Sequence, residues 1–157
     1  MPTAVGTERV NTMKWKDEAI EKLKRYDAMH AAQQNIAREI ARLKEEAFAI
    51  RRADPEATPV RGSGGRYDEV LMNNIVKRQE LAWTLKQVKL WITNTDRGLT
   101  ALNDEERQVL QRMYLYPQKG AVDKLCEELG MEQSTIYRKR DQALEHFTIA
   151  MYGFAET

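Results

Sequence analysis

The run "GMEQSTIYRKRDQALEHF", residues 130–147, sets a glycine, small polar residues and three consecutive cations at the head of an amphipathic helical pattern. Ile136, Ala143, Leu144 and Phe147 recur at helical spacing and predict the inward face. Gln133, Ser134, Thr135, Tyr137 and Arg138 are left facing outward at the N-terminal end, with Lys139 beside them. Just ahead, "AVDKLCEEL" (121–129) puts Val122, Leu125 and Leu129 on one face of a shorter helix. Gly130 then supplies the positive φ that a tight turn needs, and Met131 fills the angle between the helices. A short helix, a tight turn and a second helix with an exposed first turn is helix-turn-helix grammar. Small side chains at the head of the second helix permit close approach to a groove. Gln and Arg can make bidentate contacts to base edges, and an Arg-Lys pair can contact phosphate. The pattern therefore predicts double-stranded DNA as a partner. Arg138 and Gln133 are the expected base contacts and Lys139 the expected phosphate contact.

Working outward, "LNDEERQVLQRMYLY" (102–116) predicts one more helix. Asn103 is its N-cap, Glu106 stands in capping-box position, and acids occupy the first turn where the helix dipole favours them. Val109, Leu110, Met113 and Tyr114 give it a buried face, and Pro117 with Gly120 ends it. Charge counts against nucleic acid here. Residues 100–157 hold seven Lys or Arg against ten Asp or Glu, a net of −3. The whole chain has a formal net charge of +1, so binding by bulk charge is excluded and any DNA contact must be local.

The front half reads differently. From Trp15 to Ile50 apolar residues step 4, 3, 4, 3 with Lys22 and Gln33 as polar breaks, the spacing of a coiled-coil seam. No Pro or Gly interrupts residues 12–53, which predicts one helix of about 40 residues, on the order of 60 Å long. "DPEATPVRGSGGR" (54–66) concentrates Pro and Gly and reads as a flexible connector. A second helix follows over 67–96, with Leu81, Leu85, Val88 and Ile92 on one face and Gly98 placed to cap its end. Met72, Val76, Trp83 and Leu90 form a second stripe on another face. One partner helix cannot cover both stripes, so either the C-terminal domain or a second chain is expected against one of them. The expected fold class is all-α, an N-terminal antiparallel, coiled-coil-like helical hairpin followed by a helix-turn-helix domain. The expected divisions are a disordered N-terminus at 1–11, the hairpin at 12–97 and the DNA-binding domain at 98–157.

Other chemistries find little support. Cys126 stands alone, and His30 and His146 have no Cys or carboxylate at metal-ligand spacing, so no metal, cofactor or enzymatic activity is expected. "RGSGGR" lacks the Lys-Ser/Thr of a phosphate-binding loop. No signal peptide or long apolar run appears, which predicts a cytoplasmic protein with no membrane partner.

Leu102, the acidic turn, "VLQRMY", a short helix, "LG" with a following hydrophobe, and "STIYRKRDQAL" together resemble the DNA-binding fourth region of bacterial sigma factors. "STIYRKRDQALEHFTIAMYG" is similar to the C-terminal end of ArpU/RinA-like phage and prophage regulators. The resemblance covers residues 100–153. It implies a small phage transcription activator whose recognition helix reads promoter DNA through Gln133, Ser134, Thr135, Tyr137, Arg138 and Lys139. The hairpin would then serve homo-oligomer assembly or contact RNA polymerase. Glu132 departs from the family's Ser-like cap, and Arg140 stands where sigma-like domains prefer an apolar residue. Two other functions share these features. One is a packaging component resembling a small terminase subunit, separable by subunit number. The other is an interaction module that no longer binds DNA.

Overall fold

The computed structural model describes residues 5–53 and 64–153, and the chain is all-α: among the described residues there is no strand. Helices α1 (Val5–Lys24), α2 (Tyr26–Ala53) and α3 (Gly64–Thr100) are followed by α4 (Asp104–Leu110), which runs into a π-turn (Gln111–Leu115). Helices α5 (Ala121–Leu129) and α6 (Gln133–Tyr152) complete the chain. Two compact units are formed, one by Met1–Met29 with Trp91–Thr157 and the other by His30–Leu90.

Three boundaries depart from the sequence reading. The single front helix is two, divided at Arg25, and α1 already begins at Val5, inside the stretch expected to be disordered. Of the expected connector, residues 54–63 lie outside the described residues, and residues 64–66 belong to α3, which starts at Gly64. Gly98 does not cap α3. It lies inside the helix, where an added Cβ would come within 2.7 Å of Phe147 and Met151 on α6, so its role is close helix packing. The Arg107 guanidinium instead meets carbonyls in and just after the last turn of α3, donating to Leu99 O at 3.4 Å and Leu102 O at 3.0 Å.

In the first unit, α1 packs on α6 and on the π-turn because Ala19 and Leu23 are buried with Leu99, Leu102, Leu110, Leu144 and Phe147. The sequence grouped α1 with the hairpin; its seam residues belong to this core. The π-turn replaces a regular continuation of α4, and its wider winding, seen in Tyr116 N–H donating to Gln111 O, buries Tyr114 and Leu115 in succession. A second, smaller core joins Val109, Leu125 and Ile136, and Met113 packs against both cores.

In the second unit α2 and α3 are antiparallel. The Asn74 amide donates to Leu43 O at 2.9 Å and the Tyr67 hydroxyl to Ile50 O at 3.1 Å, so seven residues forward on α2 is seven back on α3. Asn74 is a buried polar residue in the inner seam, and its other atom accepts from Arg78 Nε at 2.8 Å. Bonded across the seam in this way, it fixes register as seam asparagines do in coiled coils. Leu43, Ala47 and Val88 supply buried apolar contacts. The other face of α3 is open. Trp83 is 65 % exposed, and Met72, Val76 and Leu90 are exposed with it.

Candidate nucleic-acid interface

Helix α5 turns Val122, Leu125, Cys126 and Leu129 toward the small core. It ends at Gly130, whose φ of 64° is left-handed and whose N–H donates to Cys126 O. Nothing lies within 4 Å of a Cβ added there, so the demand on this glycine is conformational rather than steric. Met131 N–H also donates to Cys126 O, and Met131 packs into the small core as its position predicted.

The roll of α6 follows from what it buries. Ile136 is fully enclosed by the small core, Ala143, Leu144 and Phe147 face the larger one, and Thr148 is buried with its hydroxyl donating to Leu144 O. The six sequence-predicted contacts occupy the first two turns of the helix. Gln133, Ser134, Tyr137 and Arg138 are exposed, whereas Thr135 and Lys139 are half-buried. Gln133 also borders an open depression shared with Met113 and the first turn of α5 from Gly120 to Asp123. Glu132 stands at the N-cap with extended backbone but makes no side-chain cap bond.

The three cations of "RKR" have separate fates. Lys139 Nζ lies 2.5 Å from Glu105 Oε2, so the side chain expected to meet phosphate is instead tied to the first turn of α4. Arg140 donates through Nε and Nη2 to Asp141 Oδ1 at 3.1 and 3.0 Å, and its guanidinium sits 4.9 Å from the centre of the Tyr137 ring. A cation lying over an aromatic face explains how Arg140 fits a position that sigma-like domains give to an apolar residue. Arg138 alone of the three is exposed with no ion pair among the described residues.

Sequence reasoning missed several side chains of this surface. Gln142 is exposed one turn beyond Arg138, and Ser134, Arg138 and Gln142 make a stripe at helical spacing. That stripe was legible from the period once the inward face had been assigned. The second contact to α4 was less so. Asn103 caps α4 as expected, its Oδ1 accepting from Glu106 N–H at 2.8 Å. The Glu106 side chain does not complete a capping box, because its buried carboxylate turns to His146, with Nδ1 2.6 Å from Oε2. Glu105 and Glu106 therefore each hold one residue of α6. Around Tyr114, burial raises the phenol pKa against the opposing effect of the nearby Arg140.

Residues 54–148 match the model of a protein family of unknown function, DUF1492. The chain belongs to that family. The matched span takes in α3, α4, the π-turn, α5 and most of α6, and leaves α1 and α2 outside. No curated protein and no solved structure matches the chain. No helix among the described residues is long and apolar enough to cross a membrane.

Proposed function

We propose that this DUF1492 protein is a non-enzymatic, sequence-specific DNA-binding transcriptional regulator that presents α6 to the major groove. What carries the reading is the exposed stripe of Ser134, Arg138 and Gln142, with Gln133 and Tyr137 beside it. It stands on a helix whose opposite face is locked into two cores. A reading helix needs both properties, because base-edge contacts reward side chains held at fixed height and roll. The similarity of residues 100–153 to sigma region 4 and to ArpU/RinA-like regulators supports a phage or prophage activator acting at promoters.

In this reading the roles are divided differently from the sequence expectation. Arg138 and Gln142 take the base edges, and Ser134 permits close approach. Lys139 positions α6 through Glu105 rather than meeting phosphate. The test is selection of binding sites from random duplexes by the full-length chain, followed by salt titrations on a selected and a scrambled site. Arg138→Ala should weaken the selected site by about 1–3 kcal/mol and relax preference at one base pair. Lys139→Ala should change the salt slope by less than the unit expected for a lost phosphate contact. If the wild-type chain prefers no sequence at low salt, the DNA reading fails.

A second reading has a specific observation behind it. Two of the three cations on α6 are already neutralised within the domain, which suits a surface that meets a protein rather than a polyanion. Absence of any duplex binding, with a partner protein retained through the Ser134–Arg138 face, would favour that interaction module.

A further inference from the structure

The outer face of α3 carries a seam that the hairpin does not use. Met72, Val76, Gln79, Trp83, Lys86 and Leu90 step 4, 3, 4, 3, 4 along the helix, the spacing of a second coiled-coil stripe, on the side opposite the buried Asn74 and Val88. Met72, Trp83 and Leu90 are each more than half exposed, and no side chain of the hairpin covers them. A two-seam helix meets two partners, and large apolar residues at heptad spacing on an open face mark a contact surface. α2 fills the inner seam.

Charge decides between occupants. Asp68 and Lys86 lie on the same edge of the stripe, both exposed and neither in an ion pair among the described residues. A second α3 laid parallel and in register would set Lys86 against Lys86 and Asp68 against Asp68. Laid antiparallel about a midpoint between residues 77 and 78, it sets Met72 against Trp83 and Val76 against Gln79. The same midpoint sets Glu69 opposite Lys86 and Asp68 opposite Gln87 on the flanks, so that Asp68 lies one residue along from Lys86 on their shared edge. A single register thus satisfies the apolar, charged and amide pairs together, twice over by symmetry. We propose that this stripe seats the same stripe of a second copy of the chain, with the two α3 helices antiparallel and Asp68 of each beside Lys86 of the other. The inference stands apart from DNA binding, since it uses only the hairpin.

Sedimentation equilibrium of the full-length chain, over roughly 1–100 μM, tests it. The wild-type chain should form a dimer, and Trp83→Glu should raise its dissociation constant by about 30-fold or more, as loss of a central interface tryptophan does. Helicity should be unchanged by this exposed substitution. Asp68→Lys and Lys86→Asp should each weaken the dimer, and the double variant should recover most of the loss. A wild-type monomer throughout, a larger ring, or an assembly indifferent to Trp83→Glu overturns the proposal. A double variant no stronger than the singles overturns the antiparallel register.

Discussion

Gly98→Ala sets two effects of known size against each other. In an ordinary helix interior the change from glycine to alanine stabilises by about 1 kcal/mol, because alanine loses less backbone freedom on folding. At Gly98 the new methyl would stand 2.7 Å from Phe147 Cδ2 and Cε2 and from Met151 Cγ, where carbon atoms prefer about 3.5–4.0 Å. Met151 can swing aside, being only partly buried. Phe147 cannot, because it is fully enclosed in the larger core. Relief must come from moving α3 away from α6, and overpacking against an enclosed ring costs toward the upper end of about 1–3 kcal/mol before the propensity gain is deducted. The expected net result is a loss of about 1–2 kcal/mol, read as a lower midpoint in urea with an unchanged slope. Adding Phe147→Leu should make the alanine less harmful, since the pair shares one contact. If Gly98→Ala is as stable as the wild-type chain or more so, the close approach of α3 and α6 is not what this glycine serves.

Ile136→Ala should cost about 2–5 kcal/mol in the same assay, because Ile136 is fully buried with Val109 and Leu125 in a core too small to close the gap. Arg138→Ala, at an exposed position, should leave stability within about 0.5 kcal/mol of wild type, so that stability and DNA affinity separate along one helix. Tyr26 and Tyr114 should titrate above the ordinary phenol range in ultraviolet difference spectra. Burial and then the Asp96 carboxylate, 2.6 Å from its hydroxyl, raise Tyr26 well above 10.0, and burial raises Tyr114. Raised phenols contribute stability that is complete below the unfolded value of about 10 and is lost as pH climbs through the folded values, so the chain should weaken progressively above that pH.

The elements that were legible in the sequence are those whose signals are local. Asn103 as a cap, Gly130 as a left-handed turn and the inward face of α6 each follow from a spacing or a backbone requirement within a few residues, and each stands in the structure. What was not legible depends on partners distant in the chain. Glu106 in capping-box position looked local, yet the carboxylate is drawn 40 positions along to His146. Lys139 looked free in a basic run until Glu105, 34 positions away, was brought beside it. Gly98 next to a helix end has the look of a cap, and only the approach of Phe147 shows why no side chain is tolerated there. The division of the heptad pattern at Arg25, and the passage of α1 into the core of α4 and α6, likewise depend on which surface each stripe finds. Periodicity states that a face is apolar; it does not state what covers it.

The acidic balance of residues 100–157 takes on a different meaning once its charges have addresses. Lys139 with Glu105, Arg112 with Glu128, Arg140 with Asp141 and Arg107 with Asp104 are internal pairs, and Glu106 is buried against His146. Surface pairs of this kind contribute little to stability, and their weight here is positional. Two successive carboxylates in the first turn of α4 grip α6 at Lys139 and at His146, nearly two turns apart, on a flank about a quarter turn round from the Ser134–Arg138–Gln142 stripe. The acids that weigh against nucleic acid in a net count are therefore, in part, the groups that would aim a reading helix. On the exposed side of α6 Arg138 keeps its charge unspent, whereas the Glu105 carboxylate is already engaged by Lys139. Net charge measures steering from a distance, whereas recognition depends on which charges remain unspent at the contact.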